Sequence, residues 1–515
     1  MSGEGPDRNL AVLAQAAFER LGDFEFLIFE GQRFRTGDMF DRTCRVCAGL
    51  ARLGIAPGDR VVVLMENCPE VGIAYTAIWR AGAVVTPVVF RVGAAELAHI
   101  LADSGAVAVI TTPGLTATVA EAAAGAPALR HVIVVGGPPG MLPEHVSAVD
   151  FASLEAHGTA DITARAEDDL AALMYTGGTT GRSKGVMLSH ANLYSCSESA
   201  FTAAHTPEIT RGILSLPLSH AYGMIVTVAG FHAVEPGFGV LQRWFDPAGW
   251  LRLAQQHRVQ AASLVPTMIQ MLLAQPLEDA DLSALQYVGC GAAPLAPQTR
   301  QQWESRVPSS RILEAYGCTE SGAVISSNPP DRNRPGSVGL PIPGYRVQIR
   351  DDDGHALGPG AVGEICVRSD GVMMGYWGAP EETAQTLRGG WLHTGDIGHL
   401  DADGYLYITD RKKDLIIRGG LNIYPRDVED ALLEHPAVAT AGVVGRPDPC
   451  LGEEIVAFVT LKPSQDAYPA ELMAFARARM AEHKYPREIR IADALPLTTV
   501  GKLDRKALRT HFTAT

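Results

Sequence analysis

Cysteine is scarce, with eight in 515 residues. A small fold stapled by disulfides is thereby excluded. Only Cys44 and Cys47 stand close, as a CxxC, and they fall in FDRTCRVCAGLARLG, where apolar residues recur at helical spacing. That pattern makes them core-facing or incidental cysteines rather than a redox or metal pair. Basic charge is also in short supply. Lys and Arg number 43 against 57 Asp and Glu, a net charge of −14. A general nucleic-acid binder is excluded, though a local basic patch for a phosphorylated ligand is not. Long apolar runs are missing as well. The most apolar stretch, 71–89, is interrupted by Arg80, Gly82 and Pro87, and so reads as buried helix and strand rather than a membrane span. The first residues, MSGEGPDRNL, lack a basic region leading into an apolar core, and a cytoplasmic location is the expectation.

What is present begins with a hydrophobic content of 47% and a charged content of 19%, which suit a globular protein of more than one domain. The most informative stretch is YTGGTTGRSKG, residues 175–185. Its glycines let backbone N–H groups turn inward together, and such nests bind phosphate oxygens. Thr176, Thr179, Thr180 and Ser183 add hydroxyls and Lys184 adds a point charge. It is not a Walker loop, because Gly185 stands where Ser or Thr is required and the following Val186-Met187-Leu188 reads as a strand. A helix cap comes only at Ser189. The expectation is a phosphate loop between two strands.

Around it, strands and helices alternate. Strands are expected at 60–65, 84–89, 107–111 and 131–135, with helices at 69–81 and 94–103, preceded by a hairpin at 24–35. This is an α/β pattern with a largely parallel, buried sheet. A second alternating block runs over 190–330, and short strands between glycine and proline turns make 336–410 β-rich. After DRKKD comes a compact α+β unit. The fold class is therefore α/β: a large N-terminal domain, 1–410, built of α/β subdomains plus a β-rich subdomain, and a small mobile C-terminal α+β domain, 411–515, with a hinge near 410–414.

Taken in order, YTGGTTGRSKG, SHAYG, GCGAAPL, YGCTE, TGD, DRKKDLIIRGGLNIYPRDVE and TTVGKLDRK resemble the adenylate-forming superfamily of acyl-CoA synthetases, adenylation domains and beetle luciferases. The resemblance covers about 10–510. It implies two half-reactions: attack of a carboxylate on the α-phosphate of ATP, releasing pyrophosphate, then attack of a thiol on the acyl-adenylate, releasing AMP. ATP, Mg2+ and coenzyme A are the implied cofactors. Glu320 matches the magnesium-binding glutamate, with Thr176 the hydroxyl at the same site. Gly177, Gly178, Thr179, Thr180, Lys184 and Thr319 match phosphate contacts. Tyr316 and Gly317 match the adenine-stacking positions, with Gly291, Ala292 and Ala293 as the other wall and Glu314, Ala315 and Ile408 beside them. Asp396 and Arg411 match ribose and phosphate contacts. Lys502 matches the catalytic lysine, whose ammonium would stabilise charge developing on phosphorus, and Lys413 the hinge. His220 matches the gate beside the acyl carbonyl. Gly419, Gly420 and Asn422 match the pantetheine channel, and Arg446, Lys484 and Arg487 are candidate partners for CoA phosphates.

For the acyl group, Ala221 stands where adenylation domains for amino acids carry an aspartate, and Gln270 and Ala315 are neutral where relatives that activate malonate carry arginine. His220, Met224, Val265, Met268, Gly289, Ala292, Val324 and Val338 are the expected pocket residues. The expectation is a medium or longer aliphatic acid, with an aryl or cinnamyl acid as the alternative. Loading of a carrier-protein thiol instead of CoA is a further alternative within the superfamily, and a luciferase-like monooxygenase and a non-catalytic nucleotide binder are alternatives from other classes. A carrier protein and a second copy of the chain are candidate partners.

Overall fold

The computed structural model of the chain describes residues 7–137, 140–176, 182–498 and 503–510. Four sheets organise these residues. The first has eight strands, six of them parallel. Its strand Arg60–Leu64 lies between Val84–Pro87 and Ala108–Thr111 and is apolar at every position after Arg60 because both faces are covered. Val61 and Val63 enter one core, while Val62 and Leu64 enter the core on the opposite face. The period-2 alternation of a strand thus serves two helical layers at once. Leu170–Thr176 lies beside Val84–Pro87, and Lys184–Ser189 pairs antiparallel with it, Thr176 opposite Lys184. The glycine-rich segment therefore joins two antiparallel strands, as expected from the sequence, although Gly177 to Thr180 themselves lie outside the described residues.

The helix expected after Ser189 forms as His190–Ala204 with a reciprocal cap. Ser189 Oγ accepts from the Asn192 N–H at 3.1 Å, and Asn192 Oδ1 accepts from the Ser189 N–H at 2.9 Å. The second sheet has nine strands, with Arg211–Leu214, Ala261–Leu264, Tyr287–Cys290 and Arg311–Tyr316 parallel at its centre. One face, carrying Leu264, Cys290 and Ile312, is sealed by Trp250 and Trp303 from the helices Pro247–Gln256 and Pro297–Arg306. Both indoles are fully buried, so each contributes a large apolar area to that core.

The third sheet, four antiparallel strands from Arg346–Arg350 to Leu406–Arg411, is the β-rich region foreseen after Gly336. The fourth begins at Ile416 and packs Val428 and Leu432 of the helix Pro425–Leu433 against Val443, Ile455 and Ala457. Cys44 and Cys47 are buried on the helix Thr36–Arg52, and burial pushes the Cys47 thiol up to about 11, which suits inert core cysteines. No helix among the described residues is long and apolar enough to cross a membrane.

Candidate active site

The open face of the nine-stranded sheet meets the helix Ala221–Ala229 near the carboxyl ends of the parallel strands, where ligands bind in open α/β sheets. His220 caps that helix, its Nδ1 accepting from the Tyr222 N–H at 3.3 Å. Gly223 is required behind it, since a Cβ there would lie 2.1 Å from the Pro217 carbonyl oxygen. The Tyr222 ring reaches the sheet. Its hydroxyl lies 3.3 Å from where a Cβ on Gly289 would be, and its edge 3.9 Å from the same point on Gly291. Ser263 and Gly289 are register partners on adjacent strands.

Beyond Cys290, Ala292 holds a left-handed φ of 69°. Such strain in a residue with a Cβ persists only where the surroundings impose it, commonly at ligand sites. Gly291 comes within 3.1 Å of the Ala315 carbonyl oxygen by the same Cβ measure, and Gly317 within 1.9 Å of the Ala323 carbonyl oxygen. Side chains at either position would push the walls apart.

Three residues far apart in sequence converge next. The Tyr316 hydroxyl donates to Asp396 Oδ2 at 2.6 Å and the Arg411 Nε–H donates to Asp396 Oδ1 at 2.9 Å. Asp396 is 6% exposed. Burial and the neighbouring carboxylate hold the Tyr316 phenol well above its ordinary range. Arg411 pairs across the sheet with Asp396, so the TGD and DRKKD segments meet as strand neighbours. Lys413 lies next to this cluster. Desolvation and the Arg411 guanidinium push its amine down to about 8, against the pull of Asp414, Asp396 and Glu320.

Glu320 sits on the short turn Thr319–Ser321 and accepts from the Tyr376 hydroxyl at 2.9 Å. Lys184 lies 3.5 Å from Glu382 and 5.4 Å above the Tyr376 ring. Glu320 and Thr176 offer a carboxylate and a hydroxyl, hard oxygen donors of the kind a magnesium ion accepts.

Two expectations need correction. Glu314 does not face the cleft: its carboxylate is buried against Arg300 at 2.5 Å on the helix-covered side of the sheet. Met224 lines no open space and is wholly buried in the core, because two residues along a helix from Tyr222 the side chain points to a different face. Ala293, Ala315, Thr319, Val265, Met268, Val324 and Val338 are partly exposed, and the Ile408 carbonyl accepts from Arg426. Gly177, Gly178, Thr179, Thr180 and Lys502 lie outside the described residues. Gly419 and Gly420, with φ of 57° and 78°, form the two-residue turn between Ile416–Arg418 and Leu421–Ile423, and Asn422 is exposed on the second strand. Arg446 is ion-paired to Glu488, Lys484 binds Asp427 at 2.8 Å, and Arg487 stacks 3.5 Å over Tyr485. Tyr222 and Tyr376 are side chains of this region that the sequence reading did not single out. Only the Tyr in SHAYG stood inside a quoted motif.

The model of the AMP-binding enzyme family matches residues 14–377, and that of the AMP-binding enzyme C-terminal domain matches 427–502. The chain is 37% identical over 487 residues to a feruloyl-CoA synthase of an Amycolatopsis species, covering 94% of each chain. It is 34% identical over 534 residues to a long-chain-fatty-acid–CoA ligase of Bacillus subtilis, covering 98% of this chain and 94% of that one. The crystal structure of ATP-bound MatB from Rhodopseudomonas palustris shares its fold with a TM-score of 0.89 at 30% identity, covering 99% of both chains. Fold and matches define the class as adenylate-forming enzymes. Within it the chain belongs to the AMP-binding enzyme family, in the branch of acid–CoA ligases that work through an acyl-adenylate.

Proposed function

We propose that this acyl-CoA synthetase activates an aryl acid of the cinnamyl type and passes the acyl group from AMP to the thiol of CoA. The observation that carries this reading is Tyr222, whose hydroxyl stands over Gly289, the register partner of Ser263. A pocket that ends on the Tyr222 hydroxyl suits a flat ring bearing a polar substituent. A long alkyl chain would desolvate that hydroxyl and return no hydrogen bond. The sequence alone favoured an aliphatic acid, and this geometry moves the weight to the aryl alternative. The similarity to a feruloyl-CoA synthase agrees with it.

In this reading Asp396 and Arg411 bind the ribose and α-phosphate, Tyr316 and Ala292 flank the adenine, and His220 lies beside the acyl carbonyl. Glu320 and Thr176 would hold Mg2+, which supplies charge neutralisation between the phosphates when bound. Lys502 would stabilise the charge that develops as pyrophosphate leaves. The proposed boundary between the two domains lies at 410–414, and Lys413 would be the pivot that brings Gly419, Gly420 and Asn422 to the site for the thioester step.

The test is pyrophosphate release and acyl-CoA formation across a panel of cinnamic, hydroxycinnamic, medium-chain and long-chain acids. Hydroxycinnamic acids are expected to lead. Tyr222→Phe should lower kcat/KM for them about tenfold, the worth of one neutral hydrogen bond, and leave unsubstituted cinnamate near wild type. Preference for decanoate or palmitate would overturn the aryl reading. Pyrophosphate release without acyl-CoA would point to a carrier thiol.

A further inference from the structure

Tyr376 belongs to a segment, MGYWGAPEET (374–383), that no part of the expected machinery uses. Its position is nevertheless fixed from several sides. Gly375–Tyr376 is a short strand paired antiparallel with Lys184–Ser189, Tyr376 opposite Val186. The Tyr376 N–H donates to Thr383 Oγ1 at 2.9 Å, and the Trp377 N–H donates to the Gly185 carbonyl at 2.7 Å. Gly375 has a φ of 147°, and a Cβ there would lie 2.6 Å from Thr383 Cγ2. From this seat the phenol reaches Glu320 Oε1 at 2.9 Å, while Lys184 rests 5.4 Å above the ring and 3.5 Å from Glu382. The Met373 N–H also donates to the Glu320 carbonyl at 2.9 Å. One two-residue strand therefore grips both the carboxylate of YGCTE and the strand that leaves the phosphate loop.

We propose that Tyr376 is a positioning residue for the adenylation half-reaction: its hydroxyl ties down Glu320 Oε1, so that the other carboxylate oxygen is aimed at the cation, and its ring seats Lys184 beside the same site. This rests on the reading of Glu320 as the magnesium ligand. A carboxylate on a short turn has two rotatable side-chain bonds beyond Cβ and points nowhere in particular until a donor fixes it. Groups that orient a metal ligand in this way are worth about 10- to 100-fold in metal affinity. A phenol merely filling space would be replaceable by phenylalanine without consequence. A phenol orienting Glu320 would not, so the hydroxyl alone separates the two roles.

The experiment compares Tyr376→Phe with the wild-type chain by calorimetric titration with ATP, once with Mg2+ and once with EDTA. The variant should bind ATP in EDTA as the wild type does, keep its thermal midpoint, and lose about tenfold of the affinity that Mg2+ adds. The Mg2+ concentration for half-maximal pyrophosphate release should rise by a similar factor, with kcat recovered at saturating Mg2+. An unchanged Mg2+ dependence, or an equal loss of ATP binding with and without the metal, would overturn the proposal. Glu320→Gln is measured beside it. If Glu320→Gln keeps the wild-type Mg2+ dependence, the assignment of Glu320 itself falls. If Glu320→Gln loses it while Tyr376→Phe keeps it, only the role given to Tyr376 falls.

Discussion

Asp396 is nearly sealed from water, yet both of its oxygens already hold a donor, Tyr316 on one and Arg411 on the other. An ionised carboxylate accepts about four hydrogen bonds, so about two directions remain for the paired hydroxyls of a ribose. Asp396→Asn would keep the shape and remove the charge, weakening both charge-assisted bonds and leaving Arg411 without its partner. AMP affinity measured by calorimetry should fall about 10- to 100-fold, the effect of about 1.5–3 kcal/mol. An unchanged affinity would remove Asp396 from the nucleotide site. These residues were legible in the sequence because each sits in a short motif, TGD, YGCTE or DRKKD, and the motifs come in a fixed order. Tyr376 was not legible. It lies 56 residues beyond Glu320, and only a two-residue strand, too short to carry a periodic signal, brings them together. Glu314 was misplaced because it stands two residues before Tyr316 on the same strand, yet its carboxylate is taken up by Arg300 in the buried interior.

Elements were easier to foresee than their faces. The strand–loop–strand course around 175–185 followed from the apolar runs 170–174 and 186–188 on either side of it, and the cap at Ser189 followed from its chemistry. The helix Ala221–Ala229 was not foreseen, and which of Tyr222 and Met224 meets the substrate side depends on how it is rotated against the sheet, which SHAYGM does not record. A second helix contact was equally invisible. His190, at the start of His190–Ala204, accepts through Nδ1 from the Leu10 N–H at 3.2 Å and so ties the N-terminal helix Leu10–Leu21 to the body. Burial, aided by Arg165 and opposed by Asp169 and Asp7, pushes its imidazole down to about 4. The folded protein thus keeps His190 neutral, while the unfolded chain takes up its proton near 6.5. Its contribution is fully present above about pH 6.5 and is lost as the pH falls towards 4, a loss of about 3 kcal/mol at the acid end. His232, also pushed down to about 4 by burial, adds in the same direction. Urea midpoints should therefore fall steeply between pH 6.5 and 4.5. His190→Gln should lower the midpoint at pH 7 and flatten that slope, and an unflattened slope would contradict the neutral buried imidazole.

At the scale of the molecule, the division into an α/β body, a β-rich region and a compact C-terminal unit could be read from where strand spacing and turn residues change. The pairing could not, because joining Gly375–Tyr376 to Lys184–Ser189 is a long-range choice made by the whole core. The segment between the third and fourth sheets carries Arg411, which binds Asp396, and Lys412, which bonds Asp352 at 2.7 Å and lies 3.5 Å from Glu364. Asp410 on one side accepts from the Arg426 N–H on the other at 2.9 Å. These are exchangeable polar contacts rather than a buried apolar interface, which is what a pivot near 410–414 requires. In the sequence Lys502 follows this proposed pivot, whereas Glu320 and the phosphate loop precede it. If its ammonium acts only while phosphorus carries the developing charge, it serves one half-reaction and is dispensable in the other. Lys502→Ala should lower pyrophosphate release at least about 100-fold, the usual effect of removing a preorganised electrostatic group. The same variant, given synthetic acyl-adenylate and CoA, should form thioester within about threefold of the wild-type rate. Equal loss of both steps would mean that Lys502 does not move in and out of the site between them, and the two-pose account of the C-terminal unit would fall with it.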